Sequence, residues 1–294
     1  MGADGPTPVN DLPRLPRRAR DGHKGTYGKV LVVAGSRTMS GAAVLCGGGA
    51  LRGGAGLVQV ACPAGIQPVV AAGNPCYTTF PIRQHADGAF SEGAADDVVE
   101  LGRAATVLAV GPGLGRSPDV AALVRELLTE LPQLPAVIDA DGLNVLAPFA
   151  DEFRGRPAPL VLTPHPGEFA RLTGRSAPET PRERQEQAAA FAARFGVVVV
   201  LKGAGTVVTD GERAFVNPTG NPGMATGGAG DVLTGLVAAL IGQRLPAFDA
   251  AVLGTWVHGR AGDLAAATLG ETGLTAADLL GHIPLAFREL ESRP

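Results

Sequence analysis

The sequence predicts an α/β fold: a mostly parallel central sheet with helices on both faces. Two observations predict it. Short, continuously apolar runs alternate along the chain with longer stretches of helical period. Strands that are covered on both faces read this way, because neither face meets water. The apolar runs are also followed by Gly-Ser, Gly-Pro-Gly, Asp-Ala-Asp-Gly, Thr-Pro and Lys-Gly, residues suited to strand-to-helix turns.

The first apolar run is Val30 to Ala34, which ends at Gly35-Ser36 and leads to a small-residue helix from about Gly41 to Leu51. Leu57 to Ala61, Thr106 to Val110, Ala136 to Ile138, Leu160 to Leu162 and Val197 to Leu201 follow as strands. Between them, Val120 to Leu131, Gly142 to Phe149 and Arg182 to Phe195 have helical spacing. Beyond Lys202 the pattern changes. Thr206 to Thr209 and Ala214 to Val216 flank Asp210-Gly211, a hairpin signal, since this dipeptide suits the positive φ of a tight turn. Val232 to Ile241, Phe248 to Leu269 and Thr275 to Leu290 close the chain as helices. No composition break splits this pattern. The expected organisation is a flexible, Pro-rich arm over residues 1–22 and one α/β domain over 23–294.

Composition excludes several classes. Of 294 residues, 45% are hydrophobic and 18% charged, so a core is available and disorder is not expected. Net charge is −3 and aromatics are 4%, which argues against a nucleic-acid surface. Three cysteines, Cys46, Cys62 and Cys76, are not a disulfide framework, and they read as small hydrophobes. There is no basic-then-apolar leader and no apolar run long enough to span a membrane, so a cytoplasmic location is expected.

The chemistry concentrates in loops. Gly227-Gly228-Ala229-Gly230 opens an apolar helix, whose first amides lack intrahelical acceptors and can hold an anion. Asp231 then falls in the first turn. A carboxylate there repels phosphate, but it can take a proton from a hydroxyl that attacks one. A packing turn with an ordinary first-turn acid reads the same way. Gly111-Pro112-Gly113-Leu114-Gly115 is either a ligand loop or a tight turn, and it is not GxGxxG; no GxxxxGK[ST] occurs either. His165, between Pro164 and Pro166, could meet phosphate or ribose. Asp139 and Asp141 could approach Mg²⁺, or Asp141 could cap a helix. Lys202, at the head of Gly203-Ala204-Gly205-Thr206, offers a charge to phosphate or is a surface lysine. Ala42 and Ala43 permit close approach by a ligand or by the sheet.

In order, Lys24-Gly25-Thr26-Tyr27-Gly28, Gly35-Ser36 to Gly41-Ala42, Gly111 to Gly115, Asp139-Ala140-Asp141-Gly142-Leu143-Asn144, Thr163-Pro164-His165-Pro166-Gly167-Glu168, Lys202 to Thr206 and Asn221-Pro222-Gly223-Met224-Ala225-Thr226-Gly227-Gly228-Ala229-Gly230-Asp231 resemble the ADP/ATP-dependent NAD(P)H-hydrate dehydratases. The resemblance covers residues 23 to 290. It implies a ribokinase-like fold and repair of hydrated nicotinamide cofactor, by ADP-dependent dehydration of the (S) hydrate that releases AMP and phosphate. It implies Asp231 as the catalytic base, with Gly227, Gly228, Ala229 and Gly230 as the anion hole. Ala42, Gly113, His165 and Asp231 are implied as contacts of the hydrate. Lys202, Gly203, Ala204, Gly205, Thr206 and Gly230 are implied as contacts of the nucleotide. Bacterial members commonly use ADP and eukaryotic members ATP, with Mg²⁺; no metal ligand is assigned. The resemblance also implies a homotetramer and a separate epimerase partner. Two other readings use the same loops: a vitamin-precursor kinase, such as a hydroxymethylpyrimidine or hydroxyethylthiazole kinase, which would keep the phosphate on its substrate, and a non-catalytic nucleotide-binding module.

Overall fold

The computed structural model describes residues 5–147, 151 and 154–292. The strands are β1 (Thr7–Pro8), β2 (Lys29–Val33), β3 (Leu57–Pro63), β4 (Thr78–Ile82), β5 (Val107–Val110), β6 (Ala136–Ile138), β7 (Leu160–Leu162), β8 (Val198–Leu201), β9 (Val207–Thr209) and β10 (Arg213–Val216). The α-helices are α1 (Ser40–Arg52), α2 (Gln67–Gly73), α3 (Ala94–Gly102), α4 (Pro118–Glu130), α5 (Ala140–Leu146), α6 (Pro166–Thr173), α7 (Pro181–Phe195), α8 (Ala229–Gly242), α9 (Ala247–Leu269) and α10 (Ala276–Glu291).

Among the described residues the strands form one sheet in the order β1-β10-β9-β8-β7-β6-β5-β2-β3-β4. The run from β4 to β8 is parallel. The β8–β9 and β9–β10 pairs are antiparallel, and Asp210-Gly211 turns the second of them, Gly211 with φ +96°. The strand order reverses between β2 and β5: the chain winds outward through β3 and β4, then returns to build β5 to β8 on the other side. The carboxyl ends of β2 and β5 are therefore the switch point of the sheet, and the crevice outside such a point is the usual place for a ligand.

Period-two alternation divides the core. Val30, Val32, Val58, Val60, Val107, Ala109, Val137 and Val161 face α1, α8, α9 and α10. Leu31, Val33, Ala61, Leu108, Val110, Ala136 and Ile138 face the side of α3, α4, α5, α6 and α7. Helix α8 is buried along nearly its whole length, from Val232 to Gly242, as expected of a helix that is apolar all round. It lies against α1 with backbones almost touching. A Cβ at Gly235 would stand 1.9 Å from the Cys46 carbonyl oxygen, and one at Gly49 would stand 2.3 Å from that of Val232. The small residues of α1 thus serve helix packing as well as the crevice.

The structure adds to the expected elements and differs at the N-terminus. Strand β4 contains Pro81 and is an edge strand, where a missing amide is tolerated. Helices α2, α3 and α6 are short. Residues 5–22, expected to be a loose arm, lie on the body: Thr7 and Pro8 pair with Arg213 and Ala214, Val9, Leu12 and Leu15 pack on the core, and Arg18 donates to the Gly54 carbonyl with its guanidinium 4.1 Å above the Tyr27 ring. The helix expected over Gly142 to Phe149 starts earlier, at Ala140, and its expected end at 148–149 lies outside the described residues. Cys46 and Cys62 are buried, whereas Cys76 is exposed rather than a core residue. No helix among the described residues is long and apolar enough to cross a membrane.

The α1–α8 contact makes a direct prediction. Gly235→Ala forces a methyl against a carbonyl that belongs to a packed helix, and should cost about 3 kcal/mol by denaturant titration. Gly281→Ala in α10, where a Cβ meets nothing within 4 Å, should instead stabilise, by up to about 1 kcal/mol.

Candidate active site

The sequence-selected residues gather along the carboxyl edge of the sheet. At its centre is an ion pair between the ends of β6 and β8. Lys202 Nζ stands 2.6 Å from Asp139 Oδ1 and 3.8 Å from Glu168 Oε2. The second Asp139 oxygen, 2.8 Å away, accepts from Thr234 Oγ1 on α8, and this hydroxyl also reaches the Gly230 carbonyl at 3.0 Å. Asp139 is 1% exposed. Burial alone pulls the Lys202 ammonium down, but Asp139, Glu168 and Asp231 outweigh it and hold its pKa above the usual value. Lys202 is therefore neither a surface lysine nor a free point charge; it is the cation of a buried network.

Helix α8 begins directly above this network. Gly228 is its N-cap, with φ +91°, a conformation that favours glycine. Gly230 lies next to the ion pair: a Cβ there would stand 3.2 Å from Lys202 Nζ and 3.4 Å from Asp139 Oδ2. Asp231 follows in the first turn. Burial first, then the charge of Asp139, pushes its carboxyl up to about 7; Asp141 and Glu168 add to the rise, and Lys202 opposes it. Asp231 thus differs sharply from Asp139, whose two oxygens are held by an ammonium and a hydroxyl. A half-protonated carboxyl at neutral pH, beside the free amides of a helix start, can accept a proton from a hydroxyl brought next to bound phosphate.

The other loops join this centre by contact. Gly111 presses on Asp139: a Cβ there would stand 1.8 Å from the Asp139 carbonyl oxygen. Gly113, with φ +66°, lies against α1, where a Cβ would stand 2.9 Å from the Ala42 methyl. Ala42 and Gly113, chosen separately from sequence, are therefore neighbours, and the Gly35 amide donates to the Pro112 carbonyl beside them at 2.8 Å. They line the crevice where the strand order reverses. Asp141 does not act as a side-chain cap. It accepts from the Gly115 amide at 2.9 Å and from Arg116 Nε at 3.1 Å, and so fixes the Gly111–Gly115 loop.

His165 is the N-cap of α6. Its Nδ1 accepts from the Gly167 and Glu168 amides, and Glu168 Oε2 accepts from the His165 amide at 2.8 Å. Its Nε2 stands 3.4 Å from Glu168 Oε1, and about half the side chain is exposed. Glu168, buried, links His165 to Lys202. The Gly203–Thr206 loop follows Lys202 as a tight turn in which Thr206 Oγ1 donates to the Gly203 carbonyl. Arg184 donates to the Leu201 and Lys202 carbonyls and covers Gly203. This loop connects to Asp231 through Lys202; Ala204 and Gly205 make no direct contact with it.

Sequence reasoning missed Thr234, His258 and Asp263. His258, buried on α9, stands 2.8 Å from the Ala229 carbonyl oxygen. Asp263 accepts from the Gly220 amide and from Asn221 Nδ2, both at 3.1 Å. Thr234 meets Asp139 from α8, and His258 and Asp263 meet the Gly220–Ala229 segment from α9, contacts between elements that have no signature in a single sequence.

Among the described residues no group of three His, Cys, Asp or Glu could hold a metal. Asp139 is already occupied by Lys202 and Thr234. The donor set thus suits Mg²⁺ only as an ion carried on nucleotide phosphates, the arrangement this ion commonly adopts. Three carboxylates (Asp139, Glu168, Asp231) around one lysine would oppose bound phosphates without such a cation.

Comparison with known proteins agrees with this geometry. A family model described as NAD(P)H-hydrate dehydratase matches residues 30–285. The bifunctional NAD(P)H-hydrate repair enzyme Nnr of Moorella thermoacetica is 48% identical over 280 residues, which are 95% of this chain and 52% of that protein. The ADP-dependent (S)-NAD(P)H-hydrate dehydratase of Neisseria meningitidis is 38% identical over 94% of this chain and 89% of its own length. The chain spans about half the length of the bifunctional relatives it matches. An ADP/ATP-dependent NAD(P)H-hydrate dehydratase of Bacillus subtilis, co-crystallised with ATP/Mg²⁺, superposes with a TM-score of 0.81 at 32% identity, covering 94% of each chain. A solved ribokinase-like superfamily protein from Enterococcus faecalis gives the same TM-score at 25% identity and confirms the ribokinase-like architecture.

Two predictions concern the buried charges. Lys202→Met leaves Asp139 buried without its cation and should cost about 3–5 kcal/mol; Lys202→Met combined with Asp139→Leu should recover much of that loss in a double-mutant cycle. Asp231 has the opposite character. Its pKa is higher folded than unfolded, so the folded state prefers the proton, and stability falls as pH rises from about 4 to about 7. Asp231→Asn should therefore melt a few degrees higher than the native protein at pH 8, and the difference should vanish at pH 4.

Proposed function

The chain belongs to the NAD(P)H-hydrate dehydratase family, and from that membership we propose that it dehydrates the (S) form of NAD(P)H hydrate with ADP, releasing NAD(P)H, AMP and phosphate. The observation that carries this reading is Asp231, an acid with a pKa near 7 at the start of a glycine-opened helix, above a buried lysine.

The chemical problem is a poor leaving group. Water added to the reduced nicotinamide ring leaves as hydroxide only with difficulty, whereas phosphate leaves readily. Asp231 takes the proton of the ring hydroxyl as its oxygen attacks the terminal phosphorus of ADP. The Gly227, Gly228, Ala229 and Gly230 amides are proposed to receive the transferring group, Ala229 by giving up its 3.5 Å bond to the Thr226 carbonyl, and the N-terminal end of the α8 dipole favours its charge. The bond from phosphorus to the bridging oxygen breaks, and AMP is formed. The carbon–oxygen bond of the ring phosphate then breaks, pushed by the ring nitrogen lone pair; phosphate leaves with the bonding electron pair, and the neighbouring ring carbon gives its proton to the departing phosphate. The dihydropyridine double bond is restored. Mg²⁺, carried on the phosphates, would neutralise their charge. Lys202, Gly203, Ala204, Gly205, Thr206 and Gly230 are proposed to hold the nucleotide. Ala42 and Gly113, at the carboxyl ends of β2 and β5, and His165, beyond β7, are proposed to hold the hydrate.

Residues 23–294 are proposed to work as one dehydratase domain with 1–22 appended. We further propose a cytoplasmic homotetramer that acts beside an epimerase, which equilibrates the hydrate epimers. The free thiols of Cys46, Cys62 and Cys76 suit a reducing compartment, and the bifunctional names of the longer relatives suit a coupled second activity.

The test supplies NAD(P)H hydrate, Mg²⁺ and either ADP or ATP to the purified protein. The return of reduced-nicotinamide absorbance is followed together with free phosphate. Recovery matched one-for-one by phosphate, faster with ADP, is expected; phosphate retained on the substrate would make the protein a kinase instead. The kcat/KM should rise with pH below about 7 and level above it, because the deprotonated acid is the active form. Asp231→Asn should lower kcat about 10³-fold and abolish that rise.

A further inference from the structure

We propose that His258 is a positioning residue for the anion hole, acting through the Ala229–Gly230 peptide, and that α9 is the template on which the whole glycine loop is laid. The proposal rests on the dehydratase reading for its chemistry, and on four contacts for its geometry.

His258 Nε2 lies 2.8 Å from the Ala229 carbonyl oxygen. A carbonyl can only accept, so the ring donates from Nε2. Burial holds the ring neutral, with a pKa lowered to about 4. The Ala229 carbonyl and the Gly230 amide belong to one planar peptide and point in opposite directions. Anchoring the oxygen from the α9 side therefore aims the Gly230 N–H outward, at the place where phosphate would bind. The same bond polarises the peptide and strengthens that amide as a donor.

The rest of the loop is held from the same helix. Gly259 leaves room for Thr219: a Cβ there would stand 2.3 Å from Thr219 Oγ1. Gly262 leaves room for Met224, whose sulfur would stand 2.2 Å from such a Cβ. Asp263 takes the Gly220 amide and the Asn221 side chain. Residues 258, 259, 262 and 263 fall on one face of α9 at helical spacing. That face receives the chain from Thr219 to Ala229, the segment that ends in the proposed anion hole and Asp231. Four helix positions thus grip one loop at four successive points, and only His258 touches the catalytic turn itself.

The experiment compares His258→Phe, which fills the space without a donor, with His258→Gln, which keeps one. Both are read by kcat and KM with ADP and hydrate, and by calorimetry with inorganic pyrophosphate and Mg²⁺ in the absence of hydrate. His258→Phe should lower kcat about tenfold while KM values stay within about twofold, and should weaken pyrophosphate about fivefold. His258→Gln should restore most of both. If His258→Phe does not fold, His258→Asn replaces it, because its shorter amide falls short of the Ala229 oxygen. Equal kcat and equal pyrophosphate affinity in Phe and native proteins overturn the proposal. So does a Gln variant no better than Phe, or a native protein that binds no pyrophosphate. A native protein that binds pyrophosphate but repairs no hydrate overturns the dehydratase reading alone, and the calorimetric comparison still decides the role of His258.

Discussion

The Lys202–Asp139 pair is the constraint from which the rest of the site follows. It joins the end of β8 to the end of β6, and through Thr234 it also fixes α8. Its burial demands good partners, because a charge of either sign left alone there would be strongly destabilising. Both Asp139 oxygens are accordingly occupied, and the ammonium faces three carboxylates. The pair also dictates its ceiling. A side chain at Gly230 would stand in tight contact with the ammonium and in ordinary contact with the carboxylate. The pair thus lies directly beneath the first turn of α8, which carries only small side chains before Asp231.

The same arrangement separates two acids of like chemistry. Asp139 and Asp231 sit close enough for the charge of one to raise the pKa of the other. Asp139 has the lysine and the threonine. Asp231 has burial, a repelling neighbour and only distant help from Lys202, so its proton is held to near neutrality. Two carboxylates pushed apart in this way take different roles, one structural and one able to exchange a proton at neutral pH. The stability that Asp231 costs above pH 7 is what a proposed base would require, and it is offset elsewhere by the dense α1–α8 contact.

Much of this was legible in the sequence, for identifiable reasons. Strands such as Ala136–Ile138 and Leu160–Leu162 were legible because both faces are buried and the runs are purely apolar. The candidate-site loops were legible because a strand end must be punctuated, and glycine, proline and aspartate are the residues that do so. Strand β4 was hidden by Pro81 at an edge. The lie of residues 5–22 was hidden because Val9, Leu12 and Leu15 are scattered among prolines with no period. Lys202 was found as a residue but not as a buried ion pair, because its partner is 63 positions away. His165 was found as a candidate contact of the hydrate, and the structure adds that it caps α6 through Nδ1 and meets Glu168 through Nε2, contacts that no spacing in the sequence announces.

The architecture also separates what the fold supplies from what the family adds. The glycine-opened helix is consistent with any phosphoryl transfer, and the solved hydroxyethylthiazole kinase of Pyrococcus horikoshii shares the fold at 16% identity with a TM-score of 0.58. A kinase and the proposed dehydratase need the same first step, a base beside an alcohol and donors around a phosphate. They part at the second, where the phosphate must leave again under push from a ring nitrogen. Nothing in the α8 turn performs that step; it belongs to the substrate, and the protein need only hold the ring in place until elimination is complete. The Ala42–Gly113 contact is suited to this. Gly113 lies against Ala42 and Met39 with no side chain of its own, and its loop is braced by Asp141 through the Gly115 amide. On the proposed reading, a loop held this firmly against α1 keeps the ring in place, and retention is the property that turns a phosphorylating site into a dehydrating one.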